Sequence, residues 1–501
     1  MKGEDRSVMN PVNRLVIVSN RLPIVLNHDE GGSWQVREGS GGLVSALAPV
    51  LKNRGGVWIG WPGTTEEENG NIKNVLEEET KSFGYSMKPV ILTLEEKQKY
   101  YEGFANEIIW PLFHDMTAHC NFNPEYWQVY QQVNRKFADV VYQNIRENDF
   151  IWIHDYHLMN IATELRSAGV RSELAFFLHI PFPPLDIMVR LPWRFQILHS
   201  LLEFNLIGFQ TMRDRRNFIH CVKTLIPGVR VFGKGQVQTI RVGEHEIRIG
   251  AFPIGIDFHG FVKLAATPEV SEKAWFIHED LTDRVIILGV DRLDYTKGIP
   301  ERLKAYRNAL ARYPELQENV TFVQAVVPSR RSLPRYAALK TEIERLVGEI
   351  NGQFTRSGWV PIHYFFRSLS RPELLAYYRT SEIALLTPLK DGMNLVAKEY
   401  CACKIEENGV LILSEFAGAA AQLQKYAELV NPHDIEGIAE TIYRAYKMEP
   451  EKRKIRMRRL RYIIRKYDIF WWVDSFLKAA FARDLKDFPY IEDYIPTEEN
   501  N

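Results

Sequence analysis

The chain has 501 residues, 46% of them hydrophobic and 25% charged, a length that provides for two or three cores rather than one. Sixty-three basic residues balance sixty-three acidic ones, which excludes a chain-wide polyanion-binding surface and leaves phosphate recognition to a few placed arginines and lysines. The four cysteines (Cys120, Cys221, Cys401 and Cys403) are too few and too unevenly spaced for a disulfide framework, and Cys401 and Cys403 lack the spacing of a CxxC pair.

The first element is Arg14-Leu-Val-Ile-Val-Ser-Asn20, a short apolar run stopped by polar residues, as in a parallel strand covered on both faces. It leads through Ser19-Asn20-Arg21 to Gly39-Ser-Gly-Gly42, which opens a helical stretch over Leu43–Leu51. Glycines at such a turn let backbone amides approach a diphosphate, although a purely structural turn has the same pattern. Strands are expected at Val57–Gly60, Phe150–His154, Leu174–His179 and Leu206–Phe209, with a helix over Tyr126–Glu147. Trp152-Ile-His-Asp155-Tyr-His157 and Phe177-Leu-His179-Ile-Pro-Phe-Pro183 put Asp155 and His179 at strand ends, where both can face one crevice. Trp61, Tyr101 and Trp110 read as core by default.

A crossover is expected near Gly250-Ala-Phe-Pro-Ile-Gly-Ile-Asp257, after which the pattern repeats. A buried strand over Asp283–Asp291 runs into Asp291-Arg-Leu-Asp-Tyr-Thr-Lys-Gly298, so Arg292 and Lys297 can converge on one anion. Charge-assisted phosphate contacts of this kind contribute about 1.5–3 kcal/mol each. Further strands are expected at Val320–Val326, Ile362–Phe366, Ile383–Thr387 and Val410–Ser414, and helices at Pro300–Tyr313, Pro334–Ile350, Arg371–Thr380 and Asp434–Lys447. Arg330, just past the second of these strands, could meet a second anion beside Arg21. At Asp391-Gly-Met-Asn-Leu-Val-Ala-Lys-Glu399 an apolar strand gives way to a glycine-bearing turn and a helix, placing free N–H groups and the helix dipole at the strand's carboxyl end. Glu399, four residues after Leu395, shares that mouth and is spaced to grip ribose hydroxyls.

The alternation predicts an α/β protein with two doubly wound parallel sheets. A basic run (Lys452, Arg453, Lys454, Arg456, Arg458, Arg459, Arg461) then precedes Phe470-Trp-Trp472. It reads as a charged helix followed by an aromatic one packing across the domains. A nucleic-acid patch is the rival, disfavoured because the basic residues fall on all sides of a helix. No apolar run reaches a membrane span and the first residues lack a signal peptide's apolar segment, so a cytoplasmic location is the default.

Six motifs in order, Ser19-Asn-Arg-Leu-Pro23, Ser40-Gly-Gly-Leu43, Trp152-Ile-His-Asp-Tyr-His-Leu158, Phe176-Phe-Leu-His-Ile-Pro-Phe-Pro183, Arg292-Leu-Asp-Tyr-Thr-Lys-Gly298 and Asp391-Gly-Met-Asn-Leu-Val-Ala-Lys-Glu-Tyr400, resemble those of the trehalose-6-phosphate synthases. The resemblance runs from about Arg14 to the aromatic tail. It implies a retaining GT-B glycosyltransferase that joins UDP-glucose, or another nucleotide-glucose, to glucose-6-phosphate. Residues 1–254 would be an acceptor-binding Rossmann-like domain and residues 255–470 the donor domain, with a helix at about 471–488 returning to the first. Gly41, Gly42, Arg292 and Lys297 would meet the donor diphosphate, and Leu395, Val396, Ala397, Lys398 and Glu399 would line the donor site. Asp391 and His179 would hold the donor glucose, and Leu369 the base through its backbone, although Tyr364-Phe-Phe-Arg-Ser368 departs from the family's sequence. Arg21, Tyr101 and Arg330 would take the acceptor phosphate, and Trp61, Trp110 and Asp155 its sugar. Asp155, His179, Arg292, Lys297 and Asp391 would form the catalytic set, with stabilisation of the leaving diphosphate as the main term. No cofactor and no metal ligand cluster are expected; the partners are small-molecule substrates, without nucleic acid or membrane, and a homo-oligomer is left open.

Three other functions compete. A dinucleotide oxidoreductase requires a GxGxxG turn close to the first strand, and Gly39-Ser-Gly-Gly42 lies too far on and lacks the spacing. A catalytically silent sugar-phosphate sensor would have lost a site residue, and none of the aligned ones is missing. A transferase of the same fold with another acceptor, such as glycerol-3-phosphate, stays open.

Overall fold

The computed structural model describes residues 14–28, 34–39, 42–66, 75–76, 83–281, 284–330, 333–481 and 491–496. Gly41 lies outside them. The first sheet has nine strands, in spatial order Ser86–Pro89, Gly56–Trp61, Leu15–Arg21, Phe150–His154, Glu173–Phe177, Leu206–Phe209, His245–Ala251, Val237–Val242 and Arg230–Phe232. The second has six, Ile362–Phe366, Val320–Val327, Val285–Arg292, Ile383–Leu386, Val410–Ser414 and Glu428–Val430, all parallel.

In each sheet the strand that opens its half of the chain sits between neighbours reached in opposite directions. Leu15–Arg21 pairs with Gly56–Trp61 on one side and Phe150–His154 on the other. Val285–Arg292 pairs with Val320–Val327 and Ile383–Leu386. These are topological switch points, and a crevice opens at the carboxyl end of each. Arg21 is the last residue of the one strand and Arg292 of the other.

The first sheet is not parallel throughout. Val237–Val242 pairs antiparallel with both His245–Ala251 and Arg230–Phe232. The cause is a two-residue turn at Gly243-Glu244, with Gly243 at φ 58°, a conformation that suits glycine. A second departure is the segment Lys97–Ile109, which winds as a π-helix: the Trp110 N–H reaches back five residues to the Ala105 carbonyl. It carries Tyr101 and delivers Trp110 to the cleft.

The aromatic tail forms a helix, Ile469–Phe481, that crosses back onto the first sheet. Phe476 stacks on Trp152 at 4.2 Å, and Trp472, fully buried, donates its indole N–H to the Phe252 carbonyl at 3.1 Å. Arg248 bonds the Ala479 and Ala480 carbonyls at 2.7 and 2.8 Å, satisfying that helix's last turn. The basic helix before it, Pro450–Lys466, places its arginines against other chain ends as well. Arg453 takes the carbonyls of Ala445, Tyr446 and Met448, and Arg461 those of Cys401 and Ala402, so cations sit at the carboxyl ends of two helices. Among the described residues no helix is long and apolar enough to cross a membrane.

Candidate active site between the two sheets

The second sheet supplies a wall of charge. The Arg292 side chain is exposed at the strand's end, its guanidinium carbon 5.8 Å from the Trp110 ring. Five residues on, Lys297 does not stand free: its Nζ donates to Asp391 Oδ2 at 2.6 Å, with side-chain exposures of 12% and 14%. Burial works against the Asp391 charge, but Lys297, with His114 and Arg292, outweighs it and holds the carboxyl below its usual range. Gly392, next in sequence, is where the walls touch. A Cβ there would lie 2.2 Å from the His179 carbonyl oxygen, so only glycine permits the approach.

Asn394, at φ 74°, caps the helix Leu395–Cys403 through the Ala397 N–H at 3.1 Å. Leu395 and Val396 are half-buried at its mouth. Glu399 accepts the Tyr378 hydroxyl at 3.0 Å, and burial raises its carboxyl. Lys398 departs from the expectation for its neighbours. Its side chain is buried and turned to the crossover, where Nζ donates to the Ile254 carbonyl and Gln422 Oε1, both at 2.7 Å, and burial lowers its ammonium to about 7. Its ammonium is therefore taken up inside the protein, and only its backbone belongs to the cleft-side turn. Leu369, half-buried, immediately precedes Ser370, the cap of the helix Arg371–Thr380. Gly42 opens the helix Gly42–Arg54.

The first sheet supplies rings, hydrogen bonds and, at the end of its opening strand, the Arg21 guanidinium. Asp155 follows the strand Phe150–His154 at φ 74°, ψ 167°, a region almost reserved for glycine. Its Oδ1 accepts the His179 backbone N–H at 3.2 Å, and burial pushes its carboxyl up to about 7 against those bonds and the nearby Arg292 and Arg330. His179 is lowered to about 3 by burial. Tyr101 stacks on His157 at 5.8 Å and meets the Trp61 edge at 5.7 Å, while the Arg21 guanidinium lies 4.6 Å over Trp61.

Arg330, from the second sheet, reaches across. At φ 45° it donates to the Tyr336 hydroxyl at 2.7 Å and to Asp294 and the Tyr156 hydroxyl at 3.5 Å each, its guanidinium 4.4 Å over Trp110. The Trp110 indole donates in turn to Asp294 Oδ1 at 3.4 Å. Contacts thus join Arg21, Trp61 and Tyr101, through His157 and Tyr156, to Arg330, Trp110 and Arg292, and join Lys297 to Asp391, Gly392 to His179 and His179 to Asp155. Asn394 ties the start of the Leu395–Cys403 helix to Asp391, whereas the Lys398 and Glu399 side chains turn to Ile254, Gln422 and Tyr378. The sequence reading missed Asp294, Tyr156 and Tyr336, which hold Arg330, and Gln210 and His154, which contact His179. Asp294 had a signal, its place between Arg292 and Lys297, and so did His154 and Tyr156, which flank Asp155 in a quoted motif; Gln210 and Tyr336 had none.

Two Rossmann-like sheets whose strand ends meet across one cleft, with arginines, a lysine and hydrogen-bonding rings gathered there, make a GT-B glycosyltransferase. The chain belongs to glycosyltransferase family 20, whose model it matches over residues 13–482. It is similar to the trehalose-6-phosphate synthase of Mycolicibacterium gilvum, 39% identical over 474 residues that cover 94% of each chain. Among solved structures it resembles a UDP-forming alpha,alpha-trehalose-phosphate synthase from Burkholderia xenovorans in complex with glucose-6-phosphate (TM-score 0.83, 34% identity, 93% of this chain and 100% of that one). The E. coli protein bound with UDP-2-fluoro glucose is similar to the same degree (TM-score 0.83, 34% identity, 93% and 99%).

Proposed function

We propose that this enzyme transfers glucose from UDP-glucose to glucose-6-phosphate, giving trehalose-6-phosphate and UDP with retention at the donor's anomeric carbon and without a metal. The observation that carries the reading is that one cleft holds two separate cationic points. Arg292 and Lys297 stand at the second sheet's switch point; Arg21 and Arg330 are joined through Trp61, Tyr101, His157 and Tyr156. Two phosphorylated substrates require two such points, and the ligands of the neighbouring structures support the same pairing.

On this reading the donor's diphosphate draws Lys297 away from Asp391 and takes Arg292 and the Gly42 amide as further partners. Asp391, so released, accepts from hydroxyls of the donor glucose beside His179. Glu399 meets the ribose, and Leu369 the base through its backbone. Arg21, Tyr101 and Arg330 hold the acceptor phosphate, with Trp61 and Trp110 against its sugar. The acceptor hydroxyl, oriented by Asp155, attacks from the face the diphosphate leaves. The bond from the anomeric carbon to the diphosphate oxygen breaks as the new glycosidic bond forms, and the acceptor proton passes to the departing oxygen. Stabilisation of that leaving group by side-chain cations is the principal catalytic effect. The acceptor half is residues 1–254 with the returning helix, the donor half residues 255–470.

Incubation with UDP-glucose and glucose-6-phosphate in the presence of a chelator is expected to release UDP and a non-reducing disaccharide phosphate with both anomeric centres α by NMR. No nucleotide release with glucose-6-phosphate across several nucleotide-glucose donors refutes the reading. Turnover with glycerol-3-phosphate alone replaces the acceptor.

A further inference from the structure

Behind His179 lies a hydrogen-bonded relay that none of the substrate contacts above uses. Gln210, just past the strand Leu206–Phe209, is buried. Its Oε1 accepts the Ile254 N–H at 2.9 Å, which fixes the orientation of the amide: Nε2 faces His179 Nδ1 at 3.4 Å. An amide nitrogen only donates, so Nδ1 must accept and the imidazole proton resides on Nε2. That Nε2 is 3.2 Å from His154 Nδ1, which then accepts as well. The His154 proton is left on its own Nε2, which is buried with no hydrogen-bond partner among the described residues, in a ring 4.8 Å from that of Trp152. A second proton on the His179 ring would set donor against donor.

The relay continues to the donor side. The Ile254 carbonyl takes the Lys398 ammonium at 2.7 Å, so one crossover residue ties the Leu395–Cys403 helix to the support of His179. That accounts for a lysine buried beneath the cleft.

We propose that Gln210 is a positioning residue for the glucosyl donor: it holds His179 as the neutral Nε2–H form, so the one N–H of the ring, which His154 Nδ1 accepts before substrate binds, is the group a sugar hydroxyl takes over, and the ring never carries a positive charge. The inference rests on the reading that His179 meets the donor glucose. The titratable groups around that ring are Asp155, whose carboxylate accepts the His179 backbone N–H, and His154 on the neighbouring strand. Gly392 presses on the His179 carbonyl from the second sheet and brings Asp391 beside it, and Trp472 covers it from the returning helix.

Gln210→Glu tests this while preserving the fold, because a carboxylate oxygen still accepts the Ile254 N–H but turns an acceptor toward Nδ1. With the full chain labelled with 15N-histidine, and His179 assigned through His179→Asn, the wild type is expected to show a bare Nδ1 and a protonated Nε2. Gln210→Glu should protonate Nδ1. Kinetically, the KM for UDP-glucose should rise about tenfold, the strength of one such hydrogen bond, with the glucose-6-phosphate KM unchanged. A new rise of kcat/KM with pH should appear as the carboxylate-paired ring loses its second proton. Gln210→Met should raise the donor KM without that limb. A wild-type His179 carrying its proton on Nδ1, unchanged signals in Gln210→Glu, or an equal rise in both KM values overturns the proposal. The spectra need no turnover, so inactivity with these substrates would count against the reaction and not against the tautomer.

Discussion

The two walls of the cleft are prepared for substrate in opposite ways. The second-sheet wall keeps its charges in waiting: Lys297 is neutralised by Asp391, and Arg292, exposed, forms no ion pair among the described residues. Its first-sheet counterpart, apart from Arg21 at the end of its opening strand, keeps charge low. His154, His157 and His179 are all held neutral by burial, and Asp155, pushed up to about 7, is only partly ionised near neutral pH. A diphosphate that gains charge as it leaves needs cations able to move onto it. A sugar that must be oriented needs rigid, directional donors and acceptors. The difference implies that removing a second-sheet cation assigned to the diphosphate should affect turnover, whereas removing a first-sheet group should affect binding and pH dependence.

The hardest test of that division is Arg292→Ala. An exposed side chain with one ring contact contributes little to stability, about 0.5 kcal/mol or less. Loss of one preorganised donor to a developing anion lowers kcat by about 10²- to 10³-fold. Steady-state UDP release together with thermal melting checks both halves: kcat is expected to collapse while Tm stays put. Normal kcat removes the diphosphate role, and a large fall in Tm would mean that Arg292 is structural.

How far the sequence was legible divides along the same line. The second-sheet wall could be read because its groups are local: Arg292 and Lys297 flank one turn, and Asp391 and Glu399 flank one helix start. The parallel strands were equally plain, since a strand buried on both faces is a short apolar run. The first-sheet wall is assembled from afar. Trp110 bonds Asp294 across 184 residues, and Arg330 meets Tyr156 across 174, with nothing in either neighbourhood to announce the pair. The antiparallel edge at Val237–Ala251 did have a marker, a Gly-Glu turn between alternating runs, that a search for parallel strands passes over. The π-helix at Lys97–Ile109 has none, because its wider winding is fixed by what packs around Tyr100, Phe104 and Ile108.

Asp155 gives the intermediate effect. Because burial raises its carboxyl to about 7, the acceptor-orienting carboxylate forms only as pH climbs through that value, so kcat/KM should rise on the acid side with a midpoint near 7. Asp155→Asn should flatten this limb and leave activity at pH 8 lower by about 10- to 100-fold, the range for a hydrogen bond to a charged group. Stability should move the other way. The folded state binds this proton more tightly than the unfolded chain, so the stability contribution is fully present below the ordinary carboxyl range and is lost as pH rises through about 7. The Tm of the wild type relative to Asp155→Asn should therefore fall between pH 5 and pH 8. An acid limb that persists in Asp155→Asn assigns it to another group.

The smallest effect tests whether the acceptor and donor contacts are independent, because it makes the same chemical change beside one contact of each kind. The Tyr336 hydroxyl accepts from Arg330 at 2.7 Å, and the Tyr378 hydroxyl donates to Glu399 at 3.0 Å. Both phenols are buried and neither faces a substrate in the proposed reaction, so Tyr→Phe removes one oxygen and keeps the ring packed. Without the Tyr336 hydroxyl, Arg330 retains as hydrogen bonds its 3.5 Å contacts to Asp294 and Tyr156 and can swing toward the carboxylate and away from the acceptor phosphate. Tyr336→Phe should then raise the glucose-6-phosphate KM about fivefold, worth about 1 kcal/mol, with kcat and the UDP-glucose KM unchanged. Tyr378→Phe should do the reverse, raising the UDP-glucose KM by a similar factor. Isothermal titration of each variant with UDP and with glucose-6-phosphate separates the two losses without turnover. If either substitution weakens both ligands equally, the cleft behaves as one coupled site and the division between acceptor and donor contacts fails.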